Sequence, residues 1–377
     1  MNGIYYYLVA FLLIWGVALI FKNRLSNHGF EINFPVIMWR TGRLRGFIKH
    51  ISDLSPKFWR YFMTVGVFVS FGAMIVMTWL IVSSLENVFT TPSVSIVIPG
   101  VEVPGSPIYV PLGYGLIALA SVLVIHEFSH GIIALSEKIP IKSIGLLLVA
   151  VIPGAFVEPD EDKLKEAKRS TRLRVYAAGS VANMSLAAVA LVFFLLISSF
   201  AIPANFNENG IEISRVVSDS PASTCLKEGM IIESIDNHTI SGSGDYADVV
   251  GSFKPGDNVT VGTNQGDYSL ILDKNPNNAS LGYFGIQASK HYELANNMFG
   301  DLPWVYFMLA ELFQWVFTLN LGIGMFNLLP LKPLDGGHML ENLLSYKLSE
   351  KYYKPIVNSI SVVMAIIIVF SLVAGFL

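Results

Sequence analysis

The chain has 377 residues, 53% of them hydrophobic and only 14% charged, with a mean hydropathy of +0.55. That balance excludes an ordinary soluble enzyme, and a net charge of −3 singles out no class of partner. The one cysteine, Cys225, excludes an internal disulfide and any CxxC metal site, and the chain carries neither a nucleic-acid-binding motif nor a phosphate-binding glycine loop.

Apolar runs of about 20 residues, the length that crosses a bilayer, stand at Ile4–Phe21, Tyr61–Leu85, Val110–Leu135, Val175–Ile202, Trp304–Leu329 and Ile356–Leu377. The first has no small-residue cleavage signal after it, and Lys22 and Arg24 follow its core, so it reads as an anchor rather than a removed signal peptide. Basic residues from Lys22 through Arg43 to Arg60 fill the first loop, and none lies in the second. Two more clusters run from Lys138 to Arg174 and from Lys332 to Lys354. Alternate loops are therefore basic, which places the first, third and fifth in the cytosol.

The third run contains His126-Glu127-Phe128-Ser129-His130. On a helix, the i, i+4 spacing brings two imidazoles to one point, with Glu127 beside them as a base for water, the layout of a zincin. Ionisable groups at membrane depth cost roughly 2.5–3.5 kcal/mol apiece, so three within five positions are hard to explain as packing. A bound cation in a wet cavity offsets that cost. Ser143–Phe156 follows, apolar but too short to span and closed by Pro153-Gly154, and it reads as re-entrant. Glu158–Asp162 then returns the chain to water, and the basic stretch after it reads as a solvated face.

From about Asn205 to Gln287 the long apolar runs give way to short strand-like patterns, at Ile211/Ile213/Val216, Met230–Ile232, Val259/Val261 and Leu270/Leu272. This is a soluble β-rich insertion, on the non-cytosolic side by the charge pattern. Sequons at Asn237, Asn258 and Asn278 fit that side if the host glycosylates. Val216–Ala222, Gly229–Ile232 and Ile235–Asn237 resemble a PDZ domain of the bacterial, protease-associated type.

The fifth run leads into Asn327-Leu328-Leu329-Pro330-Leu331-Lys332-Pro333-Leu334-Asp335-Gly336-Gly337. Its prolines end the helix, and Asp335 emerges on the same side as the histidines, where a catalytic zinc needs a third protein ligand. Paired with His126–His130, this segment resembles the site-2 protease family of intramembrane zinc metalloproteases. Ala178–Asn183 is similar to the family's G-x-x-x-N element. Ile98–Pro104 and Pro153–Val157 look most like the branch that processes membrane-bound transcription factors. The resemblance covers about Asn33 to Leu340.

The resemblance implies that His126, His130 and Asp335 bind one zinc ion, that Glu127 activates water, and that Asn183 and Asn327 contact the substrate backbone. It also implies an edge strand within 143–156 that pairs with an unwound substrate. His338 is expected outside the ligand set.

The expected architecture is a polytopic α-helical membrane protein of about six transmembrane helices with an inserted, small, β-rich PDZ-like domain. Residues 1–60 form the anchor and cytosolic loop, 61–110 the second helix and external loop, 111–204 and 300–340 the two parts of the metalloprotease core, 205–290 the extracytoplasmic domain, and 341–377 the last helix. The expected function is hydrolysis of single-span membrane proteins in or near the bilayer after a prior cleavage, with the active site toward the cytosol and no nucleic-acid partner. A zinc transporter using the same residues and a silent PDZ-bearing scaffold are the alternatives. Transport calls for more polar residues along the helices than Glu311 and Gln314 provide.

Overall fold

A computed structural model describes Ile4 to Gly375 apart from residues 43, 89–93, 95, 104, 105, 107, 277 and 297. Arg43, Pro104 and Leu377, singled out above, lie outside the described residues. The chain divides into two compact units, one of Met1–Phe194 with Ala310–Leu377 and the other of Leu195–Leu309.

Five helices among the described residues are long and apolar enough to cross a membrane: Pro56–Asn87, Leu112–Ser136, Arg169–Asn205, Leu302–Phe326 and Glu350–Ala374. They match five of the six apolar runs. The first run forms a helix at Ile4–Ile20, 17 residues long. At 1.5 Å per residue it spans about 26 Å, a few ångströms short of a hydrocarbon core of about 30 Å. The long helices turn their apolar faces outward: Val65, Phe68, Ile75 and Trp79 are 64, 75, 70 and 65% exposed. So broad an apolar face is unsustainable in water, and lipid is the solvent it fits; this is an integral membrane protein.

Small residues let these helices approach. A Cβ on Gly66 would lie 2.9 Å from both Val181 methyl carbons, and Ala177, Ala178 and Ser180 are fully buried beside it. At the end of the Leu112–Ser136 helix, which carries the motif, the Glu137 side chain is 6% exposed and joins three helices. It accepts from Arg174 Nε at 2.8 Å and Thr171 Oγ1 at 2.9 Å, with Arg60 Nε at 3.4 Å. The expectation of a solvated basic face is corrected here, because the Arg174 side chain is only 15% exposed and committed to Glu137.

A four-stranded antiparallel sheet lies in the same unit, ordered Phe30–Asn33, Val36–Arg40, Ile141–Val149, Ile152–Pro159. The last two strands are the segment read as re-entrant, in register Ile144↔Val157 and Leu148↔Pro153, so the implied edge strand exists and is Ile152–Pro159. The first two come from the basic loop, for which no strands were expected. Trp15 of the first helix, 3% exposed, donates Nε1 to Ala150 O at the hairpin turn (2.9 Å) and packs edge-on against Phe34.

The second unit holds the expected β-rich insertion. Its sheet runs Ile286–Leu294, Phe206–Val216, Ile231–Ile235, Asn258–Thr263, Gly266–Ile271, with His238–Thr239 paired to Ile231–Ile235. One helix, Ser243–Val250, accompanies it, and Ile213, Ile232, Ile235 and Val261 form its water-free centre. The edge strand continues to Leu294, past the expected boundary at 290.

Candidate metal centre

His126 and His130 lie one turn apart on the motif helix, ring centroids 4.9 Å from each other. Asp335 reaches them from the loop after Val305–Phe326, and two glycines make that loop possible. A Cβ on Gly336 would lie 2.0 Å from Leu328 O, and one on Gly337 would lie 2.6 Å from Lys332 N. With those atoms absent, the chain folds back on itself, Gly336 N–H bonds Asn327 O at 2.9 Å, and Asp335 becomes the first residue of the Asp335–Leu344 helix. A carboxylate is favoured at that position by the helix dipole.

The three donor atoms form a nearly equilateral triangle. His126 Nε2 to His130 Nε2 is 3.3 Å, and Asp335 Oδ2 is 3.3 and 3.4 Å from them. Metal–ligand distances of about 2.0–2.1 Å in a tetrahedron put ligands roughly 3.3–3.4 Å apart, so the spacing suits a zinc-sized ion. Asp335 Oδ2 is also buried without a hydrogen-bond partner, an acceptor that a cation would satisfy. Among the described residues this is the cluster able to hold a metal ion.

The surroundings fix the rings. His130 Nδ1 lies 2.8 Å from Val175 O, and a carbonyl only accepts, so the proton sits on Nδ1 and leaves the Nε2 lone pair free. Gly179 faces His126 so closely that a Cβ would lie 2.5 Å from its ring. Asn183, expected at the substrate, is fully buried and presents its amide to His126, with Nδ2 3.3 Å from Nδ1 and Oδ1 unpartnered. A half-turn of the amide lets Oδ1 accept from Nδ1–H, which frees His126 Nε2 as well. Glu127 Oε2 accepts from Val157 N–H of the edge strand at 3.1 Å.

His126, Glu127, His130, Asp335 and Asn327 line a cavity of about 900 Å³ together with Tyr176, Lys332, His338 and Tyr353. His338 stacks on Tyr176, ring centroids 5.3 Å apart, and lies outside the ligand cluster. The Val175 carbonyl and Val157 amide escape sequence reasoning because a backbone group has no residue signature.

A model of peptidase family M50 matches residues 114–368. The chain is 29% identical over 226 residues, 60% of its length and 55% of the relative's, to an uncharacterized protein of Methanocaldococcus jannaschii. It is 28% identical over 125 residues, 33% of its length and 24% of the relative's, to a membrane-bound transcription factor site-2 protease homolog of Arabidopsis thaliana. The chain thus spans about half and about a quarter of those relatives. Among solved structures, the PDZ domain of an SdrC-like protein from Listeria monocytogenes aligns at 25% identity and a TM-score of 0.20, covering 21% of this chain and 87% of the other. The corresponding domain from Listeria innocua gives the same identity and TM-score over 22% and 97%.

Proposed function

We propose that this chain, which belongs to peptidase family M50, is a zinc metallopeptidase that hydrolyses peptide bonds of single-span membrane proteins in or near the bilayer, after a prior cleavage has trimmed them. The observation that carries the reading is the His126–His130–Asp335 triangle, with edges of 3.3–3.4 Å, opening with Glu127 onto one cavity. Those three residues would hold the zinc, which supplies Lewis acidity and lowers the pKa of a coordinated water toward about 7.

Glu127 accepts a proton from the attacking water and returns it to the leaving amine. Its Oε2 is held by the Val157 amide, which leaves Oε1 for that task. Asn327, on the cavity wall, steadies the substrate carbonyl. Asn183, implied above as a substrate contact, acts in this reading through His126, whose ring it holds.

The outer edge of the sheet offers the substrate a place to pair. Val157 sends its N–H outward to Glu127, so residues 153, 155 and 159 share that parity. Pro153 and Pro159 have no N–H, which leaves Ala155 as the donor for an incoming strand, next to Glu127. Sidedness follows from the basic loops, which put the metal toward the cytosol and the Leu195–Leu309 unit outside, where a PDZ-like fold would filter substrates.

The test is purified, zinc-loaded protein with a trimmed single-span substrate in detergent, its fragments located by mass spectrometry with and without chelator. Chelator-sensitive cleavage inside the apolar segment is expected. Intact substrate beside a zinc-loaded, folded enzyme would refute the proposal.

A further inference from the structure

Four cationic side chains other than imidazoles line the cavity: Lys165, Arg172, Lys332 and Lys354. Each lysine already has an acid. Lys165 lies 3.2 Å from Glu161, Lys332 2.5 Å from Glu341, and Lys354 pairs with Glu350. Arg172 differs. Among the described residues no hydrogen bond or ion pair engages its guanidinium, and its Nε is buried without a partner. The side chain is half-buried on the cavity wall, and a buried donor left unsatisfied is costly, so an arginine kept this way is suited to an acceptor that arrives with a ligand.

Its place on the Arg169–Leu196 helix says which ligand. Arg172 is three residues before Val175, whose carbonyl holds His130, and about 4.5 Å further along the helix axis. It is four residues before Tyr176, whose ring backs His338. Arg172 therefore lies just outward of the metal shell in the same cavity, where the chain flanking a scissile bond must pass. Its planar fork matches a carboxylate in two parallel hydrogen bonds, a geometry an ammonium lacks.

We propose that Arg172 is a specificity-determining residue that binds a carboxylate of the bound chain, close to the scissile bond on its cytosolic side. This rests on the peptidase reading above. The carboxylate has two sources, an acidic side chain of the substrate or the C-terminal carboxylate that hydrolysis creates.

Two measurements on the zinc-loaded protein separate them. In the first, kcat/KM is measured on single-span peptides carrying Glu or Gln at successive flanking positions, for wild type, Arg172→Gln and Arg172→Lys. An acidic side chain as ligand predicts a Glu-over-Gln preference of about tenfold or more at one position, lost in Arg172→Gln and partly kept in Arg172→Lys. In the second, labelled fragments of the single-span peptide ending at successive residues of its apolar segment are each bound as the free acid or the amide and followed by fluorescence anisotropy. A terminal carboxylate as ligand predicts that wild type prefers the acid about tenfold and that Arg172→Gln does not distinguish the two.

The binding arm needs no turnover, so an inactive wild type that still prefers the acid would sink the peptidase reading and keep the carboxylate site. Glu/Gln and acid/amide ratios that are the same in wild type and Arg172→Gln overturn the proposal, even if every rate falls, because a uniform fall is what a packing role gives. Arg172-dependent activation by anionic lipid, with unchanged substrate ratios, also overturns it in favour of a phosphate headgroup.

Discussion

Gly179→Ala adds one methyl group where the structure has no room for it. The new Cβ would lie 2.5 Å from His126 Cε1 and 2.6 Å from Nδ1 and Nε2. Carbon atoms in contact prefer about 3.5 Å, so ring and helix must separate by roughly 1 Å. The Arg169–Leu196 helix is pinned against Val181's neighbour Gly66 and by Arg174 to Glu137, whereas the imidazole turns about two bonds, so the ring gives way. Its Nε2 then leaves a triangle whose edges are 3.3–3.4 Å. Overpacking should cost about 1–3 kcal/mol of stability, zinc affinity should fall about 10–100-fold, and a misplacement near 1 Å should lower cleavage about 10²-fold. Zinc competition against a chromophoric chelator, a cleavage assay and a melting curve read the three effects. Gly322→Ala is the control, since nothing lies within 4 Å of its Cβ position. Wild-type zinc affinity and rate in Gly179→Ala would refute the close-approach argument.

Three further outcomes are expected. Burial pushes the Glu137 carboxyl up, but hydrogen bonds from Arg174 and Thr171 and the charges of Arg174 and Arg60 outweigh it and hold the group below the ordinary range. Its folded pKa is therefore depressed, and its contribution is complete above the ordinary carboxyl pKa and lost as pH falls through the depressed value. Glu137→Gln should cost roughly 1.5–3 kcal/mol near neutrality, and the difference in melting temperature from wild type should shrink in acid; a gap independent of pH contradicts the assignment. Ala155→Pro removes the remaining outward N–H of the edge strand, so cleavage should drop up to about tenfold with zinc content unchanged, and an unaltered rate argues against strand pairing. A cysteine at Ser170 should resist an impermeant reagent applied outside intact cells while one at Glu102 reacts; the reverse pattern inverts the topology.

The His126–His130–Asp335 cluster was legible because its relation is local. Four residues on one helix bring His126 to His130, and a Pro- and Gly-rich loop turns Asp335 back at the end of another. The supports were not. Whether Asn183 faces His126 or the cavity depends on how three helices rotate against one another, and an apolar helix sequence does not specify its own rotation. Arg172 belonged to a basic run that read as solvated, yet its Nε is buried because the helix bearing it forms a cavity wall. The first hairpin hid in a short loop where Phe30, Ile32, Val36, Ile37 and Trp39 mix with charges, and its pairing partner lies more than a hundred residues later. The β-rich insertion was plain from composition, but the pairing of its last strand, Ile286–Leu294, with its first, Phe206–Val216, was not, because those segments lie far apart in the chain.

Glu127→Gln tests the central claim most directly. It conserves side-chain size and leaves His126, His130 and Asp335 in place, but removes the carboxylate proposed to take the proton from water. Zinc content of the purified variant should stay near one per chain while cleavage of a single-span substrate falls about 10²-fold or more. His126→Ala and Asp335→Ala, measured alongside, should lose both. Wild-type cleavage in Glu127→Gln, or loss of its zinc, would contradict the account.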